Sequence, residues 1–166
     1  MKCIAIDPGP YMSAVVFVES TAIDGIKIHY SAKDNNSVIM ELINSRNLVG
    51  WFAAIEQMQS YGSNVGVDTF SACHWSGRFF EAIKRNSECD PILVPRPTIK
   101  SYICGVATAK DNNVRAAMID RFPRTGGGKT PQIGTKLNPG PLYGVTADCW
   151  QALALAIYAI EEGRYE

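Results

Sequence analysis

Cys3-Ile4-Ala5-Ile6-Asp7-Pro8-Gly9-Pro10 is a short apolar run that stops at an acid and breaks at Pro-Gly. Residues 2–7 read as a β-strand covered on both faces, which places it inside a sheet and not at its edge. Its terminal carboxylate is then carried to the lip of that sheet on a packed core. An Asp before Pro-Gly also opens turns unaided. The weight of Asp7 therefore depends on which other acids reach the same lip.

Working outward, residues 12–19 and 25–32 read as two more strands. Their short spacers predict an antiparallel meander with the first. Asp34-Asn35-Asn36-Ser37 offers caps for a helix over 38–46, where apolar residues at 38, 39, 42 and 43 keep a helical period. Residues 48–58 read as a fourth strand. Its run Val49-Gly50-Trp51-Phe52-Ala53-Ala54-Ile55 is nearly all apolar, as a parallel strand in mid-sheet requires, and it ends in Glu56-Gln57. Residues 70–85 read as a helix whose stripe of Phe79, Phe80 and Ile83 suits either the core or a partner's surface. A fifth strand follows over 91–95, then helices over 97–104 and 111–122 divided at Gly105. Residues 123–145 have Gly and Pro but no period, predicting a long mobile loop. Thr146 caps a last helix over 147–162, apolar on nearly every side and so buried against the sheet. The order predicts an α/β fold in one domain spanning 1–166. Its mixed five-stranded sheet has a three-strand antiparallel meander plus parallel strands, with helices on both faces.

A chain of 166 residues, 46% hydrophobic and 19% charged, has material for a full core and is not disordered. No apolar run approaches the ~20 residues of a membrane span, and no secretory signal precedes the first strand, so no membrane partner is expected. Five cysteines, scattered and odd in number, read as free thiols in a reducing compartment, with the cytoplasm as the default. The formal net charge of zero hides an asymmetry. Residues 91–147 carry eight Lys/Arg against two Asp/Glu, while 1–90 and 148–166 are each net negative. A basic segment beside an acidic body suits phosphates on one face and cations at another, although a solvated basic surface has the same composition. His29 and His74 have no metal spacing and read as structural. Gly126-Gly127-Gly128-Lys129-Thr130 ends like a phosphate-binding P-loop, but the first glycine of that motif falls at Pro123 and no strand leads in. It reads as a mobile basic loop.

Three acids share a setting. Asp7 ends the first strand, Glu56 ends the fourth, and Asp148 opens the last helix. Carboxyl ends of adjacent parallel strands lie on one edge of an α/β sheet. Asp148 alone is explained by the helix dipole. Together the three repel one another unless a cation joins them, and oxygen-only ligands favour Mg²⁺ or Mn²⁺.

Asp7-Pro8-Gly9, Ile55-Glu56-Gln57 and Ala147-Asp148-Cys149-Trp150-Gln151-Ala152-Leu153-Ala154-Leu155-Ala156 together resemble the RuvC family of Holliday-junction resolvases, within the ribonuclease H-like fold. So do Pro95-Arg96-Pro97-Thr98-Ile99-Lys100, Gly105, Ala109-Lys110 and the helix over 114–118, in family order across about 1–122 and 146–160. The stretch 138–145 looks like that of bacteriophage-encoded RuvC-like resolvases. The resemblance implies that Asp7, Glu56 and Asp148 are catalytic and bind two Mg²⁺ ions, with Mn²⁺ able to substitute. It implies that Lys100 and Lys110 stand near the scissile phosphate, and that hydrolysis leaves 5′-phosphate and 3′-hydroxyl ends. The implied substrate is branched DNA, four-way junctions above all. Two symmetric cuts imply a homodimer.

Two positions depart from the family pattern. Gln151 stands where the family has a second acid or a His. Three residues beyond Asp148 it shares that residue's helix face and offers an amide oxygen, so it is expected to line the site while holding a second ion more weakly. Gln59 replaces an aromatic that stacks at the junction, leaving Tyr61 as the nearest candidate. Tyr61, Arg96, Lys100, Lys110, Arg124 and Lys129 form the expected DNA-contacting set. Competing readings are a branched-DNA-binding protein that has lost catalysis at Gln151, and a ribonuclease H-like enzyme acting on RNA. A sugar-kinase or actin-like ATPase would need a second such domain.

Overall fold

The computed structural model describes residues 1–22, 25–60, 62 and 65–162. In chain order the elements are β1 (Lys2–Asp7), β2 (Met12–Thr21), β3 (Gly25–Asn35), α1 (Asn36–Asn44), β4 (Trp51–Gln57), α2 (Val67–Asn86), β5 (Ile92–Pro95), α3 (Arg96–Cys104), α4 (Asp111–Asp120) and α5 (Cys149–Glu162). The strands form one sheet in the order β3-β2-β1-β4-β5. β1 pairs antiparallel with β2 and parallel with β4, and β2–β3 is antiparallel while β4–β5 is parallel. The fold is the α/β mixed sheet expected, with β1 at its centre.

Strand alternation sorts the side chains into two cores. Cys3, Ala5, Ala14, Val16, Ala54 and Val94 face α3, α4 and α5. Ile4, Ile6, Val15, Phe17, Ala53 and Ile55 face α1 and α2, where Ile39, Ile43, Phe79 and Ile83 close the layer. The first face is lined with small residues, which lets α5 lie close on it through Ala152, Ala156 and Ala159. Eleven of the fourteen residues of α5 are buried, which accounts for its apolar character all round. Each fully buried Leu or Ile there contributes roughly 1.5–3 kcal/mol. Phe79 and Ile83 are core, and Phe80 is partly buried at its edge. Glu161 clamps the three helices of this layer, accepting hydrogen bonds from Tyr102 Oη at 2.6 Å and Arg121 Nη1 at 2.7 Å.

Several boundaries differ from the sequence reading, three of them near the site. β3 continues to Asn35, held by its pairing with β2 out to Met12↔Asn35, so Asp34 and Asn35 are strand while Asn36 and Ser37 lie within α1. Asn35 stands at the N-cap without a side-chain capping bond. β4 begins at Trp51, after a turn through Gly50 at φ 78°. α5 begins at Cys149 and not at Ala147, with Ala147 at φ 47°.

The 123–145 segment, expected to be mobile, is tied by its own backbone. Gly126 N–H donates to Pro131 O, Gly127 N–H to Asn138 O, Gly140 N–H to Ile133 O and Leu142 N–H to Gln132 O, all within 2.9 Å. These bonds require close backbone approach. A Cβ on Gly134 would lie 2.1 Å from Gly140 N, and one on Gly140 2.3 Å from Pro131 O. The glycines that suggested looseness are packing contacts here.

Candidate active site

The register of β1 and β4 brings the first two acids together. Ile6 is opposite Ile55, so Asp7 and Glu56 emerge next on neighbouring parallel strands, whose spacing is ~4.8 Å. Ala5 and Ala54 face α5, and two residues on, Asp7 and Glu56 point the same way. Both sink below the surface, with side chains 11% and 4% exposed. On the other side Asp7 pairs with Ala14 and Ala14 with Lys33, which sets Lys33 on the same face of the sheet. From there Lys33 Nζ forms an ion pair with Asp148 Oδ2.

Asp148 occupies the N-cap of α5, where its carbonyl accepts from Gln151 N–H at 3.0 Å and Ala152 N–H at 3.1 Å. The preceding Ala147 is the one non-glycine residue with positive φ among the described residues. A left-handed alanine costs roughly 1–2 kcal/mol. Strain of this kind clusters at functional sites, and here it adjoins a half-exposed carboxylate.

A guanidinium lies beside the two sunken acids. Arg96 opens α3 immediately after β5, with Nη2 3.6 Å from Asp7 Oδ2 and Nε 3.4 Å from Glu56 Oε1. Its buried Nε makes no hydrogen bond, so the cation serves both carboxylates without fitting either. One cation is too little. Burial pushes Asp7 up to about 6, aided by the Asp148 and Asp111 charges and opposed by Arg96. Burial and the Asp7 charge push Glu56 up to about 8 against Arg96 and Lys100. Adjacent buried carboxylates held above the ordinary carboxylate range suit a hard divalent cation, which would favour their ionised forms. Among the described residues no three His, Cys, Asp or Glu side chains are close enough to grip one ion as they stand. Asp148 is instead engaged by Lys33.

A buried hydrogen-bonded ring supports the turn that carries Asp7. Ser13 Oγ donates to Asn36 Oδ1 at 2.6 Å, Asn36 Nδ2 donates to Gly9 O at 2.9 Å, and Gly9 N–H donates to Ser13 Oγ at 3.0 Å. A Cβ on Gly9 would meet Met12 O at 2.2 Å. Asn36 was read from sequence only as a cap; its adjacency to the turn depends on β2 and β3 and has no local signature. Lys33 could have been found by extending β3 and counting across its register. Asp111 could have been suspected as an acid next to Lys110.

Lys100, mostly buried at 15% exposure, lies 3.1 Å from Asp111 Oδ1, and its charge reaches Glu56. Lys110 is exposed at the N-cap of α4, its carbonyl accepting from Asn113 and Val114 N–H. Gln151 is buried and lines a cleft with Asp111 and Asp148. Arg124 and Lys129 are exposed on the 123–145 segment and form no ion pair with the site acids among the described residues. Tyr61 lies outside the described residues. Arg96, expected at DNA, is drawn to the acids. His29 bonds Glu19 Oε2 at 2.9 Å, away from the site acids.

Among solved structures, Thermus thermophilus RuvC matches with a TM-score of 0.62 at 14% identity, over 98% of this chain and 97% of that one. The fold is that of RuvC. T. thermophilus RuvC in complex with a Holliday junction substrate matches at TM-score 0.66 and 15% identity, over 99% and 95% of the two chains. The yeast mitochondrial Holliday junction resolvase Ydc2 matches at TM-score 0.55 and 13% identity, over 93% of this chain and 76% of that one. No family profile matches the sequence. No curated protein matches it either. At such identities the likeness is one of topology. Among the described residues no helix is long and apolar enough to cross a membrane.

Proposed function

We propose that this chain is a divalent-metal-dependent, structure-selective endodeoxyribonuclease. It resolves four-way junctions and other branched DNA by paired nicks that leave 5′-phosphate and 3′-hydroxyl ends. The observation that carries the reading is the juxtaposition of Asp7 and Glu56, side by side, buried and under-neutralised on the site edge of a RuvC fold. Solved proteins of that fold include RuvC in complex with a Holliday junction substrate.

Asp7 and Glu56 form the floor of the site, and Asp148 approaches from α5. Asp7, Glu56 and Asp148 would hold Mg²⁺ or Mn²⁺, which would supply a water nucleophile at neutral pH and offset charge on the leaving oxygen. Arg96 gives up its place between the acids and turns to the phosphate. Lys100 and Lys110 offset charge on the phosphoryl oxygens, preorganised by α3 and the N-cap of α4. Arg124 and Lys129, with Tyr61, extend the contact along the DNA backbone, so that shape and not base sequence dominates selection. The active species is a homodimer with two sites related by a two-fold axis. Gly77, open on the outer face of α2, leaves room for a partner there. Residues 1–166 act as one domain in a reducing cytoplasm, as a phage-type resolvase would.

The test is nicking of a synthetic four-way junction and of linear duplex in Mg²⁺ and in Mn²⁺, by wild type and Asp7→Asn. The proposal predicts junction nicks that disappear in the variant while junction binding persists. Binding without nicks in either metal would favour a DNA-binding protein that has lost catalysis, and preferential cutting of RNA–DNA hybrids would move the activity to RNA.

A further inference from the structure

One helical turn beyond Asp148, α5 presents Gln151, which carries no charge. Its side chain is only 6% exposed and makes no hydrogen bond among the described residues. It lines a cleft of about 220 Å³ together with Asp111, Asn112, Arg115, Asp148 and Trp150. The amide of a residue sunk this far, with its polar atoms open to the cleft and unpaired, is a donor–acceptor pair available to a ligand.

The two carboxylates of this cleft come from different elements, Asp148 from the start of α5 and Asp111 from the start of α4. Each is held by a lysine from a third or fourth element: Asp148 by Lys33 of β3, and Asp111 by Lys100 of α3 at 3.1 Å. The remaining cation, Arg115, is stacked over the Trp150 ring at 5.3 Å. Asp111 also belongs electrostatically to the main site, since its charge raises both Asp7 and Glu56.

We infer that Asp111, Gln151 and Asp148 form the second divalent-cation position, with Asp111 supplying from α4 the negative charge that Gln151 does not supply from α5. The donors are two carboxylates and one amide oxygen, a hard set that leaves room for water, as suits Mg²⁺ or Mn²⁺. Lys33 and Lys100 are the charges that a bound cation displaces. The inference rests on the proposed reading in one respect, that Asp7 and Glu56 hold the first cation.

The experiment is Mn²⁺ titration of the whole chain without DNA, following free Mn²⁺ by its electron paramagnetic resonance signal. Wild type is expected to bind two Mn²⁺, one more weakly. Asp111→Asn should weaken the weaker step about tenfold and spare the tighter one. Lys100→Met keeps Asp111 but frees it, and should tighten the weaker step several-fold. Asp7→Asn should weaken the tighter step. Wild-type stoichiometry of one or zero, or an Asp111→Asn titration matching wild type, would overturn the inference. So would equal weakening in Asp111→Asn and Lys100→Met, which would make Asp111 only the partner of Lys100. Because no DNA is present, a chain that cuts no junction yet shows the expected Mn²⁺ pattern supports this inference while failing the nuclease reading.

Discussion

Replacing Glu56 by Gln removes a buried charge that the metal-free fold holds at a cost. Glu56 is 3% exposed, and its pKa is pushed up from 4.5 to about 8. An acid whose folded-state pKa lies above its unfolded value makes its full contribution to stability below the unfolded value. It loses that contribution as pH rises through the folded value. The window here runs from about pH 4.5 to about pH 8, with Asp7 adding the part up to about pH 6. At ~1.4 kcal/mol per unit, and allowing for the proton shared with Asp7, ionised Glu56 costs the metal-free fold on the order of 3–5 kcal/mol above that window. Glu56→Gln keeps the shape and removes the charge. Thermal melts in EDTA should show the variant close to wild type at pH 4.5 and about 6–15 °C more stable at pH 8.5. Adding Mg²⁺ or Mn²⁺ at pH 8.5 should raise wild type by more than it raises the variant. A variant no more stable than wild type at pH 8.5 in EDTA would refute the reasoning, because Arg96 would then already neutralise the pair.

Asn36→Ala opens the Ser13–Asn36–Gly9 ring and leaves buried polar groups unmatched. It should cost about 1–3 kcal/mol in urea unfolding and reduce cleavage by loosening the Asp7 turn. Gly134→Ala should cost far more than Gly105→Ala in thermal melts. Both glycines have φ of 77°, but a Cβ on Gly134 strikes Gly140 while one on Gly105 meets nothing within 4 Å, leaving only the left-handed conformational cost of roughly 1–2 kcal/mol at Gly105. Lys33→Met frees Asp148 and should tighten Mn²⁺ binding several-fold, whereas an unchanged affinity would mean that the Lys33–Asp148 pair does not compete with the cation.

The fold was legible because β1, β4 and α5 announce themselves. Continuous apolar strands and a helix apolar on all sides have few places to go but the centre of an α/β sheet. That centring also carried Asp7 and Glu56 to one edge, so the core of the candidate site followed from strand ends alone. What stayed hidden depends on contacts distant in sequence. Asn36 sits in a local pattern that reads as a cap, and its real partners, Ser13 and Gly9, lie 23 and 27 residues away. Lys33 fell beyond the predicted end of β3, because Asp34-Asn35 have poor strand propensity and only pairing with β2 holds them extended. Glycine-rich composition predicted looseness for 123–145, yet Gly126, Gly134 and Gly140 allow backbone contacts that no periodicity reveals. Arg96 was read as a DNA contact. Its place beside the acids follows from α3 starting directly at the end of β5.

The most direct test is to map both strands of a cleaved four-way junction at nucleotide resolution and then offer the products to a DNA ligase. The account predicts nicks at symmetric positions in opposing strands, sealed by the ligase without further processing, and absent with Asp7→Asn. Unpaired nicks, ends that the ligase cannot join, or cleavage that survives Asp7→Asn would contradict it.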